Sequence, residues 1–173
     1  MNFDTKFLNI LTTILHCLKM HGIEDAVVGG GCLRDMLFEK EVKDIDVFYS
    51  KGQWKESTWQ NFAKFEQLPL KPGIEEYEES KFTVTNNLKT HLIGLPIQLI
   101  KVKDNPYKHI DFFPINICRV AFGCVQQNGY PTLQLPPDVL EDYFDKKCYY
   151  DSDTSPNYLA RIKEKYNDWT FYN

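Results

Sequence analysis

The chain has 173 residues, 43% of them hydrophobic, which is enough for one domain with a sizeable core. Its net charge of −4 excludes a protein that coats nucleic acid through a general basic surface, although a nucleic-acid end can still be held in a local basic groove. The cysteines (Cys17, Cys32, Cys118, Cys124, Cys148) are odd in number, form no C-x-x-C pair and have no zinc spacing with histidine, so buried, reduced thiols are expected. No apolar run reaches the length of a membrane span, and the opening MNFDTKF has no signal-peptide core. The expectation is a soluble, cytoplasmic protein.

Asp4 or Thr5 can cap a first helix that runs to about Met20. Phe7, Leu8, Leu11, Ile14, Leu15 and Leu18 give it one apolar face, and Gly22 gives it a stop. Ala26-Val27-Val28 reads as a short strand. A glycine turn (Gly29, Gly30, Gly31), a short helix with Arg34 and Asp35, and a second strand with Asp44 and Asp46 follow. A helix is predicted over Trp54–Phe65, then a solvated acidic loop over Leu68–Ser80. Strands are predicted at Lys81–Asn86, Leu95–Val102 and Ile115–Phe122. Between the last two lies a short helix at Asp104–Ile110, capped at Asn105-Pro106. Gly123 is expected to begin a hairpin through Val125–Gln127 with Asn128-Gly129 as its turn. Helices opened by proline are predicted at Pro137–Lys146 and from Ser155-Pro156 onward. This order describes an α/β (α+β) domain, a mixed sheet with flanking helices, spanning residues 1–173.

Two features of residues 27–48 carry chemistry. The glycines open a helix, where backbone N–H groups can approach a phosphate. Asp44 and Asp46 alternate with Ile45, so both carboxylates point to one face, and two like charges held that close favour a cation between them. Together these suit phosphoryl or nucleotidyl transfer. Arg34 can pair with a phosphate, or with Asp35 or a catalytic aspartate and so hold the site in shape. Asp35 reads as a local structural group. Lys43 faces phosphate or solvent.

Gly30-Gly31-Cys32-Leu33-Arg34-Asp35 followed by Lys43-Asp44-Ile45-Asp46 resembles the head domain of polymerase-beta-type nucleotidyltransferases. The branch it is most similar to holds class II tRNA CCA-adding enzymes and bacterial poly(A) polymerases. Weaker similarities follow in the same order: Asp111-Phe112-Phe113-Pro114-Ile115-Asn116, Leu140-Glu141-Asp142-Tyr143, and residues 155–173 as the start of a helical neck. The resemblance implies a mixed-sheet nucleotidyltransferase fold and transfer of a nucleoside monophosphate from an NTP to a hydroxyl of RNA (a tRNA 3′ end among others), protein or a small molecule. It implies Asp44 and Asp46 as catalytic residues and ligands of Mg²⁺ or Mn²⁺; Asp111 is the candidate substitute for a third carboxylate if the strand and turn bring it round. Gly30, Gly31, Arg34 and Lys43 are the candidate nucleotide contacts of this stretch, and Arg161 on the last helix can meet the triphosphate or stand on an ordinary charged helix face. One position departs from the pattern. The third carboxylate of the family falls on the Leu95–Val102 strand, where this chain has Gln98, and an amide brings no negative charge to a cation. Two further readings therefore stand beside the enzyme: a catalytically impaired nucleotidyltransferase fold acting as inhibitor or adaptor, and a toxin-like or host-modifying nucleotidyltransferase.

Overall fold

A computed structural model describes residues 4–55, 63–70, 82–124 and 129–173. The protein is a mixed α/β structure. Its elements run α1 (Thr5–Met20), β1 (Val27–Gly29), α2 (Gly31–Leu37), β2 (Ile45–Tyr49), β3 (Phe65–Leu68), β4 (Phe82–Thr90), β5 (Ile93–Val102), α3 (Pro106–Asp111), β6 (Ala121–Gly123), β7 (Thr132–Gln134), α4 (Pro137–Asp145), β8 (Lys147–Tyr149), α5 (Pro156–Lys165) and β9 (Thr170–Tyr172). Among the described residues the main sheet has the order β3-β4-β5-β2-β1-β6-β7. Within this sheet, among the described residues, only β2 and β5 pair in parallel, and the other neighbours are antiparallel.

The sheet buries its two faces differently. Val28, Ile45, Val47, Tyr49, Leu88, Ile97, Leu99 and Phe122 face the larger core, where α1, α2, α4 and α5 pack with Leu11, Leu33, Tyr143 and Tyr166. Val27, Phe48, Val84, Ile100, Val102 and Ala121 face the other way and are covered by Ile110 of α3. Strand alternation places Gly29, Asp46 and Gln98 on this second, thinly covered face.

Local chemistry sets most boundaries. The Asp4 side chain accepts the Phe7 N–H at 3.0 Å, which fixes the start of α1. Prolines occupy the first turns of α3, α4 and α5. No helix among the described residues is long and apolar enough to cross a membrane. All five cysteines are free, and only Cys124 is exposed.

Three expectations are corrected. Ile115–Phe122 is not one strand: a 3-10 turn at Asn116–Cys118 interrupts it, and only Ala121–Gly123 pairs. Ile115, Ile117, Cys118 and Val120 are all buried, a spacing that no alternating strand produces. The buried Asn116 side chain drives the turn, donating to Asp142 Oδ2 at 2.7 Å and accepting the Tyr149 N–H at 2.8 Å. The predicted Trp54–Phe65 helix does not reach Phe65, which opens β3 against Thr90. Residues 56–62 of that helix lie outside the described residues, as do most of the predicted acidic loop and Val125–Asn128 of the predicted hairpin. Finally, β4 continues to Thr90, four residues beyond the predicted strand end, past a register shift between Val84 and Asn86. The parallel pair β8–β9 was not anticipated at all.

The connections entering β1 and leaving β2 cross at Gly22 and Gly52. Gly52 has φ +93°, and a Cβ there would lie 1.9 Å from the Gly22 carbonyl oxygen. That obstacle is backbone, so it cannot rotate away. Gly52→Ala is expected to destabilise the fold by roughly 2–4 kcal/mol through left-handed strain plus the clash, read as a fall in the urea midpoint at unchanged slope.

Candidate functional site

The register across the sheet builds the site. Asp46 of β2 pairs with Gln98 of the parallel strand β5 and with Gly29 of β1, and Gln98 pairs with Asn87 of β4. Residues paired across neighbouring strands share a face, about 4.8 Å apart. Asn87, Gln98, Asp46 and Gly29 thus form one row on the thinly covered face. Asp44 precedes β2 by one residue, and Asp44, Asp46 and Gln98 are all half-buried. Along the same face the next residues are Phe48 and Ile100, both buried, so the row marks where the face turns polar.

The glycine turn joins this row directly. Gly30 caps α2 with φ +77° and ψ −138°, a conformation that favours glycine. Its N–H is bonded to the Val120 carbonyl at 3.1 Å, which leaves the N–H groups further into α2 as the ones free of that bond. The Phe113 ring covers Gly30, its Cε2 being 3.1 Å from where a Cβ would stand. Ile110 fills the space beside Gly29. Beneath the turn, Cys32 brings the two motifs together electrostatically. Burial first, and then the charge of Asp46, with smaller contributions from Asp35 and Asp44, pushes its thiol well above the usual range. Its Sγ lies 3.7 Å from the Gly29 carbonyl. The oxygen donors of Asp44, Asp46 and Gln98 suit a hard cation such as Mg²⁺ or Mn²⁺.

Arg34, whose role the sequence left open, turns inward. It is 3% exposed. Its Nε donates to Asp35 Oδ1 at 2.8 Å and to the Tyr166 hydroxyl at 3.1 Å, and one terminal nitrogen lies 3.0 Å from Cys118 Sγ. The other stands 2.6 Å from Asp35 Oδ1. Lys165 and the Tyr166 hydroxyl also donate to Asp35, and Lys165 reaches the Glu41 carbonyl at 2.6 Å. Burial works to lower the Arg34 pKa, but Cys118, Asp35 and Tyr166 outweigh it and raise it well above its ordinary value. The network clamps α2 to α5 and to the segment leading into Asp44. Its members Cys118 and Tyr166, and Tyr158, whose hydroxyl lies 3.3 Å from Cys118 Sγ, are far from Arg34 in sequence and carry no local signal that could have announced them.

The remaining predicted residues are spread more widely. Lys43 is exposed. Arg161 is exposed on α5, its guanidinium 5.5 Å from the centre of the Tyr158 ring. Asp111 is exposed at the end of α3. Among the described residues no three His, Cys, Asp or Glu side chains gather as a metal site, so Asp111 does not join Asp44 and Asp46 in such a group. Two side chains of this face were missed by the sequence reading. Asn87 sits beside Gln98 because β4 runs further than predicted. His109 of α3 packs 5.5 Å from Phe48 and 5.7 Å from Phe113, ring centre to ring centre.

Solved structures share this fold. A CCA-adding enzyme in complex with ATP is similar with a TM-score of 0.58 and 15% identity, over 99% of this chain and 41% of that one. The Thermotoga maritima CCA-adding enzyme in complex with tRNA is similar with a TM-score of 0.57 and 15% identity, over 99% of this chain and 40% of that one. A tRNA-processing enzyme with CTP is similar with a TM-score of 0.52 and 19% identity, over 94% of this chain and 43% of that one. At these identities the likeness is one of fold, and the chain spans about two fifths of the length of these proteins. No curated protein matches the sequence. Residues 2–161 match the model of the Gabija anti-defense 2 family, and the chain belongs to that family.

Proposed function

We propose that this protein binds a nucleoside triphosphate at the Asp44–Asp46 edge of the sheet, transfers a nucleoside monophosphate to a hydroxyl, and by that modification counters Gabija defence. The observation that carries the reading is the register. Asp46 lies beside the Gly29–Gly31 turn on one side and Gln98 on the other, with Asp44 two residues away. Gly31, the half-exposed glycine of the turn beyond the part covered by Ile110 and Phe113, then leads into α2 beside the carboxylate pair. In the reaction the acceptor oxygen bonds to the α-phosphorus, the bond from that phosphorus to the bridging oxygen breaks, and pyrophosphate leaves. A divalent cation bound there would neutralise phosphate charge and lower the pKa of the acceptor hydroxyl. The chain's own part is to hold Asp44 and Asp46 on one face, to present the α2 backbone to the β- and γ-phosphates, and to keep the half-buried site partly free of water. Lys43 and Arg161 are the exposed cations proposed to meet the triphosphate. RNA, protein and small molecules remain the classes of acceptor. Anti-defence activity draws the choice toward a component of Gabija.

A second reading is favoured by one observation: an amide, Gln98, stands beside Asp46 where the resembled enzymes have a third carboxylate. The chain would then bind nucleotide or a protein partner without turnover. The test is incubation with each labelled NTP, Mg²⁺ or Mn²⁺, and lysate from cells carrying Gabija. One labelled macromolecule, lost in Asp46→Asn, is expected. Mg²⁺-dependent NTP binding without label would establish the nucleotide-binding form of the second reading, and absence of NTP binding would sink both the transferase and that form.

A further inference from the structure

We propose that Gln98 serves as a neutral oxygen ligand in place of the third carboxylate and that Asn87 is the positioning residue that turns its oxygen toward Asp46. This rests on the cation-site reading above. Asp46, Gln98 and Asn87 are consecutive cross-strand partners on β2, β5 and β4, so their side chains rise in a row from one face.

The orientation of Asn87 is fixed from behind. Its Nδ2 donates to the Pro69 carbonyl at 3.0 Å, which leaves Oδ1 as the group without a partner. Asn87 is 5% exposed, and Oδ1 accepts no hydrogen bond among the described residues. Buried acceptors are almost always satisfied, and the side chain directly opposite is Gln98, whose amide carries two N–H donors. The oxygen and nitrogen of an amide are told apart by their partners rather than by shape. If Gln98 donates to Asn87, its Oε1 faces the Asp46 carboxylate. Two acceptors then confront each other, which is unfavourable unless a cation lies between them. The opposite orientation lets the Gln98 N–H donate to the Asp46 carboxylate but sets Gln98 Oε1 against Asn87 Oδ1 and keeps Asn87 unsatisfied, so a cation beside Asp46 selects the first orientation and Asn87 supports it.

The donor set then has two carboxylates and one amide oxygen. It carries one negative charge fewer than a three-carboxylate site, so the cation depends more on nucleotide phosphates for its remaining ligands.

Binding of Mn²⁺ alone, followed by loss of the free-ion electron paramagnetic resonance signal, tests this. Gln98→Leu is expected to weaken binding by about tenfold or more, and Gln98→Glu to strengthen it by about tenfold or more. Asn87→Leu should weaken binding in the chain with Gln98 but have no effect in the Gln98→Glu background, because a carboxylate presents two equivalent oxygens and needs no orienting. A purely structural Asn87 would lower both alike, which overturns its positioning role. Binding by Gln98→Leu that equals or exceeds that of the unsubstituted chain overturns the ligand assignment. If the unsubstituted chain binds no better than Asp46→Asn, the cation-site reading itself fails. In the unsubstituted chain, Mg²⁺ should also shift the Gln98 Cδ resonance, and a resonance that stays still counts against the proposal whatever the variants do.

Discussion

Asp35→Asn is expected to lower folding stability by about 3–5 kcal/mol, the usual effect of leaving one partner of a buried ion pair uncompensated. The residue is 6% exposed and receives Arg34, Lys165 and the Tyr166 hydroxyl. The substitution keeps the shape of the side chain. It removes the charge and places an N–H donor among cations and hydroxyls that are themselves donors. Among the described residues the other side-chain partners of Arg34, itself 3% exposed, are the Tyr166 hydroxyl and Cys118 Sγ, neither of them a carboxylate. Lys165 is less confined and can reach water. The strain therefore falls on α2 and α5, the helices that Asp35 joins. Urea denaturation measures this as a lower midpoint at unchanged slope. A companion variant, Arg34→Met with Asp35→Leu, should recover most of the loss, since apolar replacement of both partners removes the stranded charge. A midpoint change in Asp35→Asn worth less than about 1 kcal/mol would mean that the network does not clamp these helices.

The same network shows what sequence could and could not reveal. Residues 30–46 announced the glycine turn and the paired aspartates because those features are local: a turn residue, a helix start, an alternation of two. The α1 boundaries were legible for the same reason, Asp4 capping one end and the apolar period running to Leu18. Arg34 was not settled, since a phosphate and Asp35 are equally good partners until α5 is brought against α2. Tyr166 decides the matter from 132 residues away. Asn116 similarly overrode a strand-like run by bonding to α4 and β8, an outcome fixed by tertiary contacts rather than propensity. Gln98 was legible as a departure from a family pattern. Its neighbour Asn87 was not, because β4 bends through a register shift that no alternation in the sequence marks.

Asp46→Asn makes the same chemical change as Asp35→Asn and should have the reverse consequences. Asp46 is half-buried on the thinly covered face, two residues from another carboxylate and beside the Gln98 amide. Losing its charge there also removes repulsion toward Asp44, which offsets part of whatever else is lost. Stability should stay within about 1 kcal/mol of the unsubstituted chain. Cation-dependent NTP binding should fall by roughly a hundredfold or more, because an amide nitrogen cannot ligate Mg²⁺ and the remaining set holds a single carboxylate. Titration calorimetry with NTP, with and without Mg²⁺, reads the second effect, and urea denaturation of the same sample reads the first. Placing the two aspartates on a plane of stability against binding separates a clamp from a ligand without any assay of turnover. If Asp46→Asn instead lost stability as Asp35→Asn does and kept its Mg²⁺-dependent binding, the paired aspartates would be structural. The proposed site would then have to be sought elsewhere on the sheet.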